Sequence, residues 1–444
     1  MSETKIVLIG AGSVIFGLRM FQDLFFHREN LDGSEIVLVD IDQEKLDGMT
    51  QIARRLNQLA GTSYSIESTT DRVEALPGSD YVIISVEVER DRLWKLDWEI
   101  PRRHGVRHVY GENAGPGGLS HTLRTVPLVM EIGRDIERLS PDALVLNLTN
   151  PESRICMALS RYTDLNAVGL CHQIGEGYHI VAHILGLVNR AGPWPDNLLK
   201  QQESKHFLDI KAAGINHFTW MTDIREKASG RDLYPEFREA ARRAPEDFHP
   251  MSRYLMEVSG LMLATGDGHA GELVGYAWEF VEEKGPDFEL LEKRRQDFEQ
   301  LMRDALDSKA DLSEWLNGHS IERVVDFIAA HNGDLSSYEL SANIVNHHCI
   351  ENLPETAIVE VPVTVSGSGI SGTQVGRLPE MIAAMCRQQV SIQELAVQAA
   401  VTGDRRAALQ ALLIDPVVPS TRVAEAVLDD ILNTHAPYLP RFAP

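Results

Sequence analysis

Lys5-Ile6-Val7-Leu8-Ile9-Gly10-Ala11-Gly12-Ser13 is followed, after a helix-length gap, by Ile36-Val37-Leu38-Val39-Asp40. An unbroken apolar run marks a strand buried on both faces, and two such runs flanking a glycine turn predict a βαβ unit. Gly10 and Gly12 allow a tight turn and close approach of backbone to a pyrophosphate, which the N–H groups at the start of the next helix would receive. Asp40 closes the second strand, where a carboxylate can accept both hydroxyls of an adenosine ribose and would repel a 2′-phosphate. NAD is therefore expected rather than NADP. The third glycine, Gly17, comes two residues later than the usual spacing, so the flanking strands and Asp40 carry much of this reading. Gly10, Gly12, Ser13 and Asp40 are the candidate cofactor-binding residues.

The alternation continues outward. Residues 43–60 have helical spacing, 64–68 and 80–86 read as strands, and 122–139 as a helix. Strands at 143–149 and 167–170 complete six, which makes a doubly wound parallel α/β domain. It is expected to end near 195, where Pro193-Trp194-Pro195 is the boundary candidate. Between Val88 and Arg124, Gly111-Glu112-Asn113-Ala114-Gly115-Pro116-Gly117-Gly118 looks too glycine-rich for regular structure and is expected to be a functional loop at the sheet edge. From 196 to 444 the pattern is α+β: strand, turn and strand at 207–220, a strand at 357–363, and helices at 289–306, 321–330, 378–390 and 392–402. Two domains suit a chain of 444 residues.

The formal net charge of −23 opposes a nucleic-acid surface and attraction to anionic membranes. No apolar run reaches the roughly 18 residues of a membrane-spanning helix. Met1-Ser2-Glu3-Thr4 leads straight into the first strand with neither a basic nor an apolar leader, so a cytoplasmic protein is expected. Four widely spaced cysteines suggest neither a disulfide framework nor a zinc knuckle.

Cys171 follows the sixth strand where its neighbours turn polar, which suits a metal ligand or a nucleophile. His217, in the turn beside Gly214 and Asn216, could fold back over the same edge. A soft sulfur and an imidazole make half of a divalent-metal site, with substrate oxygens and water to complete it. Thr265-Gly266-Asp267-Gly268-His269 is a tight turn whose carboxylate could act as a general base. His179 and His183 stand four apart on a helix, but Ile180 occupies the position where a zinc protease needs glutamate.

Together, Gly10-Ala11-Gly12-Ser13, Gly115-Pro116-Gly117-Gly118 with Arg124, Asn150-Pro151, Cys171-His172, Gly214-Ile215-Asn216-His217, Gly266-Asp267, Asn352-Leu353-Pro354 and Val359-Glu360-Val361-Pro362 resemble glycoside hydrolase family 4. The resemblance runs in order from residue 5 to about 365. The family is an NAD-dependent exception to two-carboxylate glycoside hydrolysis, with a fold resembling lactate and malate dehydrogenases. It implies transient oxidation of the sugar at C3, deprotonation at C2, elimination of the leaving group from C1, water addition and return of the hydride. By the same resemblance, Cys171 and His217 are metal ligands, usually for manganese. Asp267 is a catalytic residue, and His172 lies near C1 to assist the leaving group. Arg124, Asn150 and Asn216 contact substrate. His172 after the cysteine resembles the branches acting on unphosphorylated α-glycosides. Residues 214–220 and Asp232-Leu233-Tyr234-Pro235 resemble α-galacturonidases, with α-glucosidases and α-glucuronidases close behind. A uronate would need a cationic partner, for which Arg102, Arg103 and His269 are candidates. The resemblance therefore implies a small α-glycoside as the expected partner, namely an unphosphorylated α-uronide such as an α-galacturonide, with an α-glucoside or α-glucuronide as the alternative, and a homodimer or homotetramer as the expected assembly. The competing readings are a 2-hydroxyacid dehydrogenase and a non-catalytic NAD-sensing module.

Overall fold

The structure is a computed structural model that describes residues 4–187, 204–281, 285–307, 309–317, 320–333 and 336–442. Six strands form the parallel half of its sheet: β1 (Lys5–Ile9), β2 (Glu35–Val39), β3 (Ser65–Thr69), β4 (Tyr81–Ile84), β5 (Leu144–Asn147) and β6 (Asn166–Gly169). They lie in the order β3-β2-β1-β4-β5-β6, and all pair in parallel. β1, β2, β4 and β5 are buried almost throughout because helices cover both faces, which is why their sequences do not alternate.

The sheet then continues with β7 (Leu208–Ile215), β8 (Phe218–Glu226), β9 (Ser337–Val345), β10 (Ile358–Ser366) and β11 (Gly369–Gly372). Its order runs on from β6 through β9, β10 and β7 to β8, and β11 pairs with β10. β9 joins the halves, with Asn343 opposite Gly169 in antiparallel register. One sheet thus spans both expected domains. The helices Glu380–Thr402, Arg405–Ile414 and Thr421–Thr434 share a core with β1, β4 and β5, where Ala396, Ala408 and Leu428 pack with Val7, Val82 and Val145. The Pro193-Trp194-Pro195 boundary lies outside the described residues. No helix among the described residues is long and apolar enough to cross a membrane.

Two expectations are corrected here. The segment after β4 holds the helix Arg90–Arg103, and a helix begins at Gly115 and runs to Leu139. Gly111 and Gly115 take left-handed backbone, φ +62° and +66°, whereas the next two glycines serve close packing: a Cβ on Gly117 would fall 2.3 Å from the Gly111 carbonyl oxygen, and one on Gly118 2.6 Å from the Asn113 carbonyl carbon. The helices expected at 378–390 and 392–402 are one, Glu380–Thr402.

Candidate active site

The βα turn at β1 is built as a cradle. Gly10 has φ +96°, and a Cβ there would lie 1.9 Å from the Ser85 carbonyl oxygen. A Cβ on Gly12 would lie 2.7 Å from Asp40 Oδ2, the oxygen that accepts the Gly12 N–H at 2.7 Å. The other oxygen of Asp40 accepts the Asp42 N–H at 2.9 Å. Ser13 precedes the helix Val14–Phe26, and its side chain makes no capping bond. The cradle and the fixed carboxylate at the end of β2 fit a dinucleotide.

Beyond β6 the chain delivers Cys171-His172-Gln173, and the β7–β8 hairpin turns at Asn216-His217, with His217 at φ +62°. Gly214 makes the turn tight, since a Cβ there would fall 2.4 Å from the Phe218 carbonyl oxygen. The two segments meet: Cys171 Sγ lies 3.7 Å from His217 Nε2. Burial drives His217 well below the ordinary histidine range, with the neighbouring His269 adding to this, so the ring is a neutral donor. Its buried Nδ1 has no hydrogen-bond partner among the described residues. Burial, and then the nearby Glu360 carboxylate, push the Cys171 thiol well above its usual value. A bound cation reverses that preference, because a coordinating thiol loses its proton. A sulfur and a neutral imidazole facing one another at 3.7 Å fit a divalent cation. Around the pair, the His269 ring centroid is 4.4 Å from that of His217, and donor atoms of His217, His269 and Glu272 all lie within 4.8 Å of one another.

Several carboxylates that the sequence did not single out hold this arrangement. Glu272 Oε2 accepts three consecutive backbone N–H groups, from Glu112, Asn113 and Ala114, at 2.8, 2.7 and 3.1 Å, and so ties the 111–114 loop to the His269 turn. Glu112 pairs with Arg90 at 2.5 Å and receives the Asn150 amide at 3.4 Å. Burial alone would raise Glu112, but Arg90 first, and then His269, bring it down to about 2. His172 Nδ1 lies 3.2 Å from Glu322 Oε2, and Arg19 bonds the other oxygen of Glu322 at 2.6 Å. Burial again opposes the charge, yet His172 and Arg19 hold Glu322 at about 2. His172 is thus oriented by a fixed anion, with its Nε2 left for chemistry. Glu360, in β10, accepts from the side-chain amides of both Gln173 and Asn216, the latter at 3.0 Å, and burial lifts it to about 7.

Other expectations change. Arg124 is buried against Asp97, bonding both carboxylate oxygens at 2.8 and 2.5 Å and Ser120 Oγ at 2.8 Å. Three of its five N–H groups are used in this way, which fixes the guanidinium on the fold. Asp267 anchors the helix Pro250–Ser259: Oδ2 accepts the Met251 N–H at 2.8 Å, and Oδ1 the Ser252 N–H at 2.9 Å and the Ser252 hydroxyl. That helix has no side-chain cap from its own N-cap residue, His249, and Asp267 supplies one. Its geometry is that of a cap rather than a free base. Arg102 stacks on Trp98 at 4.5 Å and Arg103 reaches Asp430, so of the three uronate candidates only His269 adjoins His217. His179 and His183 share the helix Ile174–Ile184 as read, with ring centroids 6.3 Å apart.

Comparison with known proteins adds to this geometry. Residues 5–187 match the model described as family 4 glycosyl hydrolase, and residues 212–418 that of the family 4 glycosyl hydrolase C-terminal domain. An α-glucosidase of Erwinia rhapontici is 32% identical over 98% of this chain and 99% of its own length. An α-galacturonidase of Lachnoclostridium phytofermentans is 28% identical over 99% of this chain and 98% of its own. The crystal structure of a 6-phospho-α-glucosidase from gut microorganisms, in complex with NAD and Mn²⁺, superposes with a TM-score of 0.82 at 20% identity, covering 99% of each chain.

Proposed function

The chain belongs to glycosyl hydrolase family 4, and on that footing we propose that it hydrolyses an unphosphorylated α-glycoside of a neutral hexose, with NAD and a divalent cation, manganese first, as resident cofactors. The observation that carries the proposal is the 3.7 Å approach of Cys171 Sγ to His217 Nε2 from two separate parts of the sheet. A 2-hydroxyacid dehydrogenase or an NAD-sensing module would need the dinucleotide cradle but gives no reason for that pair.

In this reading Gly10, Gly12, Ser13 and Asp40 hold the dinucleotide, and Cys171 and His217 hold the cation. When bound, the dinucleotide supplies reversible hydride acceptance and the cation a Lewis acid for sugar oxygens. His172, steered by Glu322, moves a proton at the glycosidic oxygen. Asn150 and Asn216 offer amides to sugar hydroxyls, and Glu112 and Glu360 keep those amides in place.

Charge supports the sugar class. Glu112 and Glu272 stand beside His217 and His269, while Arg90 and Arg19 are committed to Glu112 and Glu322. A phosphate dianion would meet these acidic groups, and of the cations that line the cavity beside Cys171 and His172, Arg323 is paired with Glu339 and burial lowers Lys205 to about 8. The α-glucosidase at 32% identity favours the same choice. An α-uronide such as an α-galacturonide is the second reading. It rests on His269, which is raised above the ordinary histidine value because Glu272 outweighs the effect of burial, and could meet one carboxylate. A homodimer or homotetramer is the proposed assembly, measurable by light scattering.

Aryl α-glucoside, α-galactoside, α-galacturonide and 6-phospho-α-glucoside, each assayed with NAD, Mn²⁺ and reductant, test the proposal. Release from the neutral glycosides is expected. Turnover of the uronide alone would install the second reading, and turnover of the phosphosugar alone would refute the charge argument.

A further inference from the structure

Cys171 follows β6 and His217 follows β7, and these strands are not neighbours: β9 and β10 lie between them. At about 4.8 Å per strand the two backbones stand roughly 14 Å apart along the sheet. Their donor atoms nevertheless meet at 3.7 Å, so each segment must be held leaning toward the other. Glu360 lies between them, opposite Gly214 of β7 and Asn343 of β9, and is 1% exposed. A single oxygen, Oε2, accepts from Gln173, two residues after Cys171, and from Asn216, the residue before His217. The Asn216 side chain also bonds Cys171 directly, so the two segments are joined at the ligand itself and, through Glu360, behind it.

Resting on the metal assignment above, we infer that Glu360 is a positioning residue, a shared acceptor that sets the spacing of Cys171 and His217 before the cation arrives. Partners behind the ligands commonly fix ligand geometry in this way, and removing one lowers metal affinity by about 10- to 100-fold. Glu360→Leu keeps the side-chain volume and removes the acceptor. Glu360→Gln keeps one oxygen able to serve both donors and should rescue most of the loss.

The test uses NAD-loaded, substrate-free enzyme. Mn²⁺ affinity is measured by electron paramagnetic resonance, the Co²⁺–thiolate absorption band reports the sulfur ligand, and NAD affinity is measured by protein fluorescence. The inference expects Mn²⁺ to bind about 10- to 100-fold more weakly to Glu360→Leu, with a diminished thiolate band, unchanged NAD affinity and rescue by Glu360→Gln. Wild-type Mn²⁺ affinity in the leucine variant would overturn it, as would an equal loss of NAD and Mn²⁺ binding in both variants. If Glu360→Leu fails to fold, Gln173→Leu removes one of the two donors, and wild-type Mn²⁺ affinity there overturns the inference equally. Absence of a thiolate band in the wild-type protein would instead strike the metal assignment itself.

Discussion

Asp267→Asn separates two roles that the sequence could not distinguish. The carboxylate receives the Met251 N–H at 2.8 Å on one oxygen, and the Ser252 N–H at 2.9 Å and hydroxyl on the other. In asparagine one of these oxygens becomes an NH₂ group. Whichever orientation the amide takes, a donor faces a buried backbone N–H. Loss of an N-cap costs about 0.5–2 kcal/mol, and a buried donor left without an acceptor about 1–3 kcal/mol. Because the two overlap, a net loss near 2 kcal/mol is expected, roughly a 30-fold shift in the folding equilibrium. Urea denaturation should show a lower midpoint at constant slope, since stability changes and the surface exposed on unfolding does not. Turnover per folded molecule should stay within about threefold, because a group that only caps a helix makes no bond special to the transition state. If stability were unchanged and kcat fell by about 10² to 10⁴, the usual contribution of a general base, the capping assignment would be wrong and Asp267 would be the base after all.

Asp97 is also held ionised: burial opposes its charge, but the bonds to His435 and Arg124 prevail and its pKa lies below the usual value. A carboxylate whose folded pKa is lowered contributes stability that is present above its unfolded pKa, about 3.9, and is lost as pH falls through the folded value. Asp97→Asn should therefore cost about 3–5 kcal/mol near neutrality, with the gap to wild type closing below about pH 4; a pH-independent gap in denaturation midpoint would count against the ion pair. Asp40→Ala removes the acceptor for Gly12 N–H and the proposed ribose partner, so NAD affinity measured by fluorescence titration should drop by about tenfold or more and the preference over NADP should collapse. Unaltered affinities would place the adenosine elsewhere. Cys171→Ser should abolish Mn²⁺-supported hydrolysis while leaving NAD binding intact, and full activity in that variant would remove the sulfur from the metal site.

The parallel half of the sheet was legible because burial on both faces writes itself as apolar runs: Lys5–Ile9, Glu35–Val39 and Tyr81–Ile84 lie within two residues of the stretches read as strands. β9 was not. Its sequence Ser-Tyr-Glu-Leu-Ser-Ala-Asn-Ile-Val mixes polar and apolar positions, because Glu339 and Asn343 are buried by pairing with distant groups. Glycines misled at Gly115-Pro116-Gly117-Gly118, since a requirement for close packing and a requirement for irregular backbone produce the same letters. At the site, Cys171, His172 and His217 were found through their chemical type and their position at chain turns. Glu322 and Glu272 were not, because a carboxylate on its own has no signature until its partner, far away in sequence, is placed beside it. Glu360 alone left a trace, a charge inside the apolar strand Val359-Glu360-Val361. The Asp97 partner of Arg124 was missed for the same reason, as nothing local announces a carboxylate 27 residues earlier.

Hydrolysis carried out in D₂O, with the released sugar examined by NMR, bears most directly on the claim that cleavage occurs within a temporary oxidation of the ring. The account predicts one deuterium at C2 of the product and no net NADH, because the C2 proton must leave for the aglycone to depart and is replaced from solvent. A product fully protiated at C2 at complete conversion would mean direct displacement at C1, and would contradict it.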